Sequence, residues 1–508
     1  VQHRAPDARA AQDGREEIRR GFVWLGAASA IGRVLDVASV FIVLWFVSSE
    51  ELGQATLAWS VAVMLEALNG LGVGAALVQA GPKLGEREKH SAFWYAMGAA
   101  TLLVLVVFAA AGLLSALYDS PPLAAMLRVS VTKLWFVGAA VVPLAMLNRE
   151  LRYERIAAVS TAATLGSSVL TCVLAALGFG AWALVLGQTS HGVITMLGAF
   201  WAHDYRPRLV FDRLLLAPLA RFGGQLAASS VLYHFYRNVD YFILGRMLDV
   251  SAVGMYRVAF DLAMTPTLAI LTVVNRAAVP VYARLHTDLA ALKSAFLWTL
   301  SSLGLLLVPL TVMLGLNAED LLSFAKDGEW AEAAPIVPWL CAAALLRCLD
   351  QTFPQVFQGL RRPAFAFYDA ALSVVTVAGL IYASLSVFGA AHGAVVVAWA
   401  WLAAYPLLIV VLALLLRLLM PLRFSELLHT QRHTLGALVS MVLAHLAVSP
   451  LCAGFAAWLR LAACVLVEGA AYALYVRYVA RIRVSEALKP QTRSAPTDSA
   501  VDLSASRT

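Results

Sequence analysis

Residues 49–68 read SEELGQATLAWSVAVMLEAL, and a related phrase, DVSAVGMYRVAFDLAMTPTL, returns about 200 residues later at 249–268. Laid together, Gly53 falls on Gly254 and Ala58 on Ala259. A second echo joins Leu151 and Arg152 to Leu360 and Arg361 at a similar offset and in the same order. Repetition at long period decides architecture in helical membrane proteins. What the repeats mean therefore depends on how often the chain crosses the bilayer between them.

The composition points to a membrane from the outset. The 508 residues are 61% hydrophobic and 14% charged, which excludes a string of soluble domains. Apolar stretches of roughly 20 residues, long enough for a ~30 Å hydrocarbon core, follow one another from Gly21 to Tyr478. They are too long and too continuous for barrel strands, so the class is an all-α polytopic membrane protein with about fourteen transmembrane helices.

Six spans separate the two repeats, an even number, so both halves enter the membrane from the same side. This predicts two six-helix bundles, residues 21–202 and 217–417, related by a pseudo-two-fold axis along the membrane normal. A cytoplasmic linker, 203–216, joins them. Two additional helices within 418–484 fall outside the repeat. Residues 1–20 are a polar tail lacking the short apolar region of a cleaved signal, so Gly21 onward is expected to be a first span. Residues 485–508 are polar, with Pro, Ser and Thr, and are expected to be disordered.

Lys and Arg alternate across the loops. Segments 81–90, 148–155, 203–213, 283–293, 359–363, 417–432 and 477–483 each carry at least two, whereas among the intervening loops only Lys326 is basic. By the positive-inside rule the basic set is cytoplasmic, as are both termini. The net charge of +7 is then largely a topology signal, and nucleic-acid binding is not expected. All five cysteines lie in apolar segments without metal-ligand spacing and read as buried thiols. No nucleophile–base arrangement, phosphate-binding glycine loop or metal motif is present, so neither an enzyme nor a cofactor is expected.

The informative residues are charges inside the spans. Arg33 and Asp36 lie three apart on one helix face, as do Arg237 and Asp240, and Arg347 and Asp350; Arg257 and Asp261 are four apart. Each charge at mid-membrane costs about 2.5–3.5 kcal/mol, so four such helices point to a shared wet cavity. Buried ion pairs that only hold helices in register are the alternative. Lys133, Arg246 and Arg276 have no evident anionic neighbour on their own faces, and this spare positive charge favours an anionic substrate. Glu66, Asn69, Gln225, His234 and Asp369 are further candidates for the lining. His191 and His445 read instead as satisfied bundle residues, and Glu468 and Arg460 as facing a helix neighbour or a partner.

The run Asn238-Val-Asp240 through Gly245-Arg246, Val253-Gly254-x-Tyr256-x-x-Ala259 and Pro280-x-x-Ala283-Arg284-Leu285 resembles the middle of exopolysaccharide and O-antigen flippases of the Wzx type, nearest the colanic-acid exporter branch. Glu51-Leu52-Gly53 through Leu71-Gly72-Val73-Gly74-x-Ala76-Leu77-Val78-Gln79 is similar to their first repeat. The resemblance covers Gly21 to about Leu419. It implies membership of the multidrug/oligosaccharidyl-lipid/polysaccharide exporter superfamily and transfer of undecaprenyl-diphosphate-linked oligosaccharides across the bacterial inner membrane. It also implies that Arg33, Asp36, Arg237, Asp240, Arg257 and Arg276 border the cavity, with Trp59, Asn69, Tyr233, Tyr236 and Tyr256 as surfaces for sugars. Expected partners are the lipid-linked oligosaccharide, membrane lipid, a polysaccharide polymerase with its export machinery, and a coupling ion, H+ or Na+. A cation-coupled drug antiporter of the same superfamily, a polysaccharide polymerase or ligase, and a flippase for the peptidoglycan precursor are the competing readings.

Overall fold

The computed structural model describes residues 41–480 other than 67 and 81–83, together with Gly32 and Ser39. Its regular elements there are all helical. The first part of the chain forms α1 (Ser49–Glu66), α2 (Val73–Gln79), α3 (Glu86–Leu117), α4 (Pro121–Arg149), α5 (Tyr153–Ala176) and α6 (Ala181–Ala202). Next come α7 (Arg213–Met247), α8 (Val250–Arg284), α9 (Leu289–Leu316), α10 (Ala318–Ser323), α11 (Val337–Asp350), α12 (Phe353–Gly359), α13 (Pro363–His392) and α14 (Val395–Arg417). The chain closes with α15 (Phe424–Thr430), α16 (Arg432–Val448) and α17 (Ala457–Leu474).

Among the described residues, eleven helical stretches are long and apolar enough to cross a membrane. Of the other three expected spans, one lies around Ile31, mostly outside the described residues. The remaining two are α1, which carries three glutamates in its 18 residues, and α7, whose apolar run is interrupted by Ser229, Ser230, His234 and Arg237. Among the described residues, two spans are discontinuous. After α1, residues 69–72 tighten into a 3-10 turn that ends at Gly72, with φ of 72°, and α2 starts anew. Between α11 and α12 the chain breaks at Gln351 and Thr352, and Pro354 opens the new helix.

Helices α3, α4, α5 and α6 pack in succession, with α1 against α4 and α6. In the second half α11 packs on α8, α9 and α14, and α13 on α7 and α14. The two sets meet where α1 lies along α8 and α7. Here the repeat becomes visible as geometry. A Cβ on Gly53 would overlap the Val250 carbonyl oxygen, and one on Gly254 would overlap the Ser49 carbonyl oxygen. Val250 stands to Gly254 as Ser49 stands to Gly53, so the two contacts are reciprocal, as in an isologous interface.

Loops of each charge class gather with their own kind. At one end Ser49 Oγ and Ser251 Oγ are 2.8 Å apart, the Ser49 amide donates to Glu329 Oε1 (3.1 Å) and Trp330 Nε1 donates to the Leu44 carbonyl (2.8 Å). At the other end Trp94 Nε1 donates to the Arg208 carbonyl (2.7 Å), the Asp212 amide to Ser91 Oγ (2.8 Å) and Arg155 to the Ala202 carbonyl (2.5 Å). The linker is thus strapped to α3 as far as Asp212. Tyr205 packs beside His90 in this strap, and burial raises its phenol well above the ordinary value.

The final pair, α16 and α17, packs on α9. Glu468, fully buried, accepts from Asn317 Nδ2 (2.9 Å) and lies 2.7 Å from His445 Nδ1, while Arg460 pairs with Asp320 (2.8 Å). Glu468 and Arg460 therefore face neighbouring helices of this chain. The five cysteines are free; four are buried and Cys172 is half-buried.

Candidate functional site

Beyond their crossing at Gly53 and Gly254, α1 and α8 present charged and aromatic side chains to the seam. Arg257 Nε lies 2.5 Å from Asp261 Oδ2, the i,i+4 bridge expected of that spacing. Its guanidinium lies over the Trp59 ring, 4.5 Å from the centroid, and 5.7 Å from that of Tyr241. Three helices, α1, α7 and α8, thus converge on one cation. The Arg257 and Asp261 side chains keep 19% and 20% exposure, which a lipid-facing ion pair would not tolerate; a wet crevice between helices accommodates it.

Further along α1, Glu66 Oε2 lies 3.0 Å from Lys133 Nζ. The expectation that Lys133 carries spare positive charge is corrected here: it has no anionic neighbour on its own face, but Glu66 reaches it from another helix, because α1 packs along α4. Asn69, in the break after α1, donates its amide to the Leu134 carbonyl (2.8 Å) and ties the interrupted span to α4. His191 stands within electrostatic reach of Lys133 and Glu66, and His234 within reach of Glu66 and Arg237. Arg237 is exposed, its guanidinium 5.8 Å from the Tyr233 ring centroid.

Two expected ion pairs do not form. Residues three apart are offset by about 60° around a helix, enough for each partner to find a different environment. Asp240 turns inward, where Oδ2 accepts from the Tyr256 hydroxyl (2.8 Å) and Oδ1 from the Tyr241 amide (3.0 Å), while Tyr256 accepts from Trp401 Nε1 (2.8 Å). Arg347 lodges between aromatic rings, 5.3 Å from the Tyr236 centroid and 5.4 Å from that of Trp401, and Asp350 accepts instead from Gln351 Nε2 (3.3 Å). Tyr236 and Tyr405 join hydroxyl to hydroxyl at 3.0 Å. Asp240, Arg347, Asp350, Tyr236 and Tyr256 are all buried, forming a polar core among α7, α8, α11 and α14 that adjoins the seam at Tyr241, whose ring lies 5.7 Å from that of Tyr256. The sequence showed these charges but not their partners, because the aromatic groups that meet them stand on other helices, Tyr256 on α8 for Asp240 and Tyr236 on α7 and Trp401 on α14 for Arg347.

Arg246 is exposed at the end of α7 and forms no ion pair among the described residues. Arg33 and Asp36, and the side chains of Gln225 and Arg276, lie outside the described residues.

A polytopic helical protein whose internal repeat meets along a seam bearing buried and half-buried charge belongs to the class of membrane transporters. A family model described as "Polysaccharide biosynthesis protein" matches residues 42–335, more than half the chain. The chain belongs to that family and is a membrane transport protein of polysaccharide export, not an enzyme. It is 24% identical over 355 residues to the lipopolysaccharide biosynthesis protein WzxC of Escherichia coli, covering 70% of this chain and 72% of that one. Against the succinoglycan biosynthesis transport protein ExoT of Rhizobium meliloti it is 25% identical over 372 residues, covering 72% and 73%. These level identities do not single out the colanic-acid branch. Among solved structures, the lipid II flippase MurJ in an inward closed conformation superposes with a TM-score of 0.67 at 13% identity, covering 90% of this chain and 99% of that one. An inward-facing multidrug resistance MATE family transporter of the MOP superfamily gives 0.59 at 15% identity, covering 76% and 95%. The fold is shared with both.

Proposed function

We propose that this protein moves undecaprenyl-diphosphate-linked oligosaccharide repeat units across the bacterial inner membrane by alternating access. The observation that carries the reading is the Arg257–Asp261 pair, about one-fifth exposed against Trp59 at the meeting of α1, α7 and α8. A diphosphate needs a cation that is held but not sealed, and sugars need aromatic faces beside it. Lys133 with Glu66, and Arg237 with Tyr233, extend the same chemistry along the seam. The cytoplasmic side is the end carrying the basic loops, and both termini lie there. Residues 21–202 and 217–417 act as two six-helix bundles rocking about the seam, 203–216 links them, and 418–484 rides on the second. The reciprocal contacts at Gly53 and Gly254 support a pseudo-two-fold axis between them. With Ser49 and Ser251 in contact, this is the state closed at the outer end.

Cargo binding at the seam is tested by export. In cells whose polysaccharide export depends on this chain, Arg257→Ala at normal membrane abundance is expected to lower export at least tenfold, and Arg257→Lys to lower it less. Undiminished export by Arg257→Ala would refute a substrate role for this residue.

A further inference from the structure

The seam also holds an apolar cavity, which reaches the surface at Phe235. Leu57 and Val61 of α1, Leu123 and Leu127 of α4, and Phe235 and Phe242 of α7 line a cavity of about 320 Å³, within the range of small-ligand sites. These side chains are all apolar, and Phe235 is 36% exposed at the cavity's edge. Tyr118 closes one end, its hydroxyl donating across the seam to the Phe242 carbonyl at 3.4 Å. One turn beyond Phe242, on the same face of α7, stands Arg246, exposed and within electrostatic reach of Tyr118.

A hydrocarbon-lined notch topped by a cation that forms no ion pair among the described residues has the two chemistries of a phospholipid in the right order: chain within, phosphate at the rim. We propose that this notch binds a net-anionic phospholipid, one acyl chain against Phe235 and Phe242 and the headgroup phosphate at Arg246. A zwitterionic lipid brings its own cation to the rim and complements Arg246 less well. The walls come from α1 and α4 on one side of the seam and α7 on the other, so the lipid fits the arrangement seen here and not one in which the seam has parted. Anionic lipid therefore favours the closed outer end by selective binding. Placing the site in the outer leaflet rests on the orientation proposed above; the lipid chemistry does not.

The test replaces Phe235 with a benzophenone amino acid in protein reconstituted into phosphatidylcholine nanodiscs holding a minor share of phosphatidylglycerol. The same probe at Leu113, 75% exposed on α3, reports bulk lipid. Captured lipids are identified by mass. Phosphatidylglycerol should be enriched several-fold at Phe235 over Leu113. Arg246→Gln should abolish the enrichment while capture continues, Arg246→Lys should keep it, and Val61→Trp, which fills the notch, should suppress capture at Phe235. Capture at Phe235 in proportion to bulk composition, no capture there while Leu113 captures, or enrichment that survives Arg246→Gln would each overturn the proposal. Polysaccharide export plays no part in the readout, so a failure of the flippase reading would be seen separately.

Discussion

Gly53 and Gly254 lack a side chain where two helix backbones come closest, and each position meets the carbonyl that repeats its neighbour's. Overpacking such a contact costs about 1–3 kcal/mol, and here the cost falls on the closed arrangement alone. Gly53→Val is accordingly expected to speed labelling of a Ser251→Cys thiol by a membrane-impermeant maleimide in intact cells; an unchanged rate would show that the contact does not hold the seam. The Glu66–Lys133 pair makes a second residue-scale prediction. Lys133→Met alone leaves Glu66 without its charged partner and is expected to destabilise by about 1.5–3 kcal/mol, while Lys133→Met with Glu66→Leu recovers the thermal midpoint of the purified protein. Export should remain low in both variants, because a stable seam without the charges no longer offers them to cargo. Recovery of export in the double variant would make the pair a structural clamp.

At the scale of elements, length and hydropathy made eleven of about fourteen expected spans legible, and the repeat matched Gly53 to Gly254 without announcing that α1 and α8 cross there. What sequence could not supply were the partners. Asn69-Gly-Leu-Gly72 and Pro354 carry the signals of a break, but not what holds each break in place. For the first, that is the Asn69 bond to Leu134 on α4. In the same way, Arg347 and Asp350 have the spacing of an ion pair, yet aromatic rings from α7 and α14 claim the arginine first. The appended helices were recognisable as outside the repeat, but their attachment through Glu468 to Asn317 on the chain after α9 was not. Removing one partner of a buried charged cluster costs about 3–5 kcal/mol. Glu468→Ala should therefore lower the thermal midpoint of the purified protein markedly, and Glu468→Gln, which can still accept from Asn317, should lower it less. Equal midpoints for the two variants would argue against a polar clamp on α16 and α17.

Across the whole molecule, the two loop sets separated by charge in the sequence gather at opposite ends of the helices, and the end bearing Ser49, Ser251 and Glu329 is bonded across the two halves. A transporter that exposes its charged seam alternately to each side must unpick this end once in every cycle. Replacing Ser49 and Ser251, whose hydroxyls are 2.8 Å apart, with cysteines permits a reversible test in cells that depend on the chain for polysaccharide export. Oxidation to the disulfide should stop export at unchanged protein abundance, and reduction should restore it, with each single cysteine variant indifferent to both treatments. Export that continues at full rate with the disulfide formed would mean that the seam does not open at this end, contradicting alternating access through it.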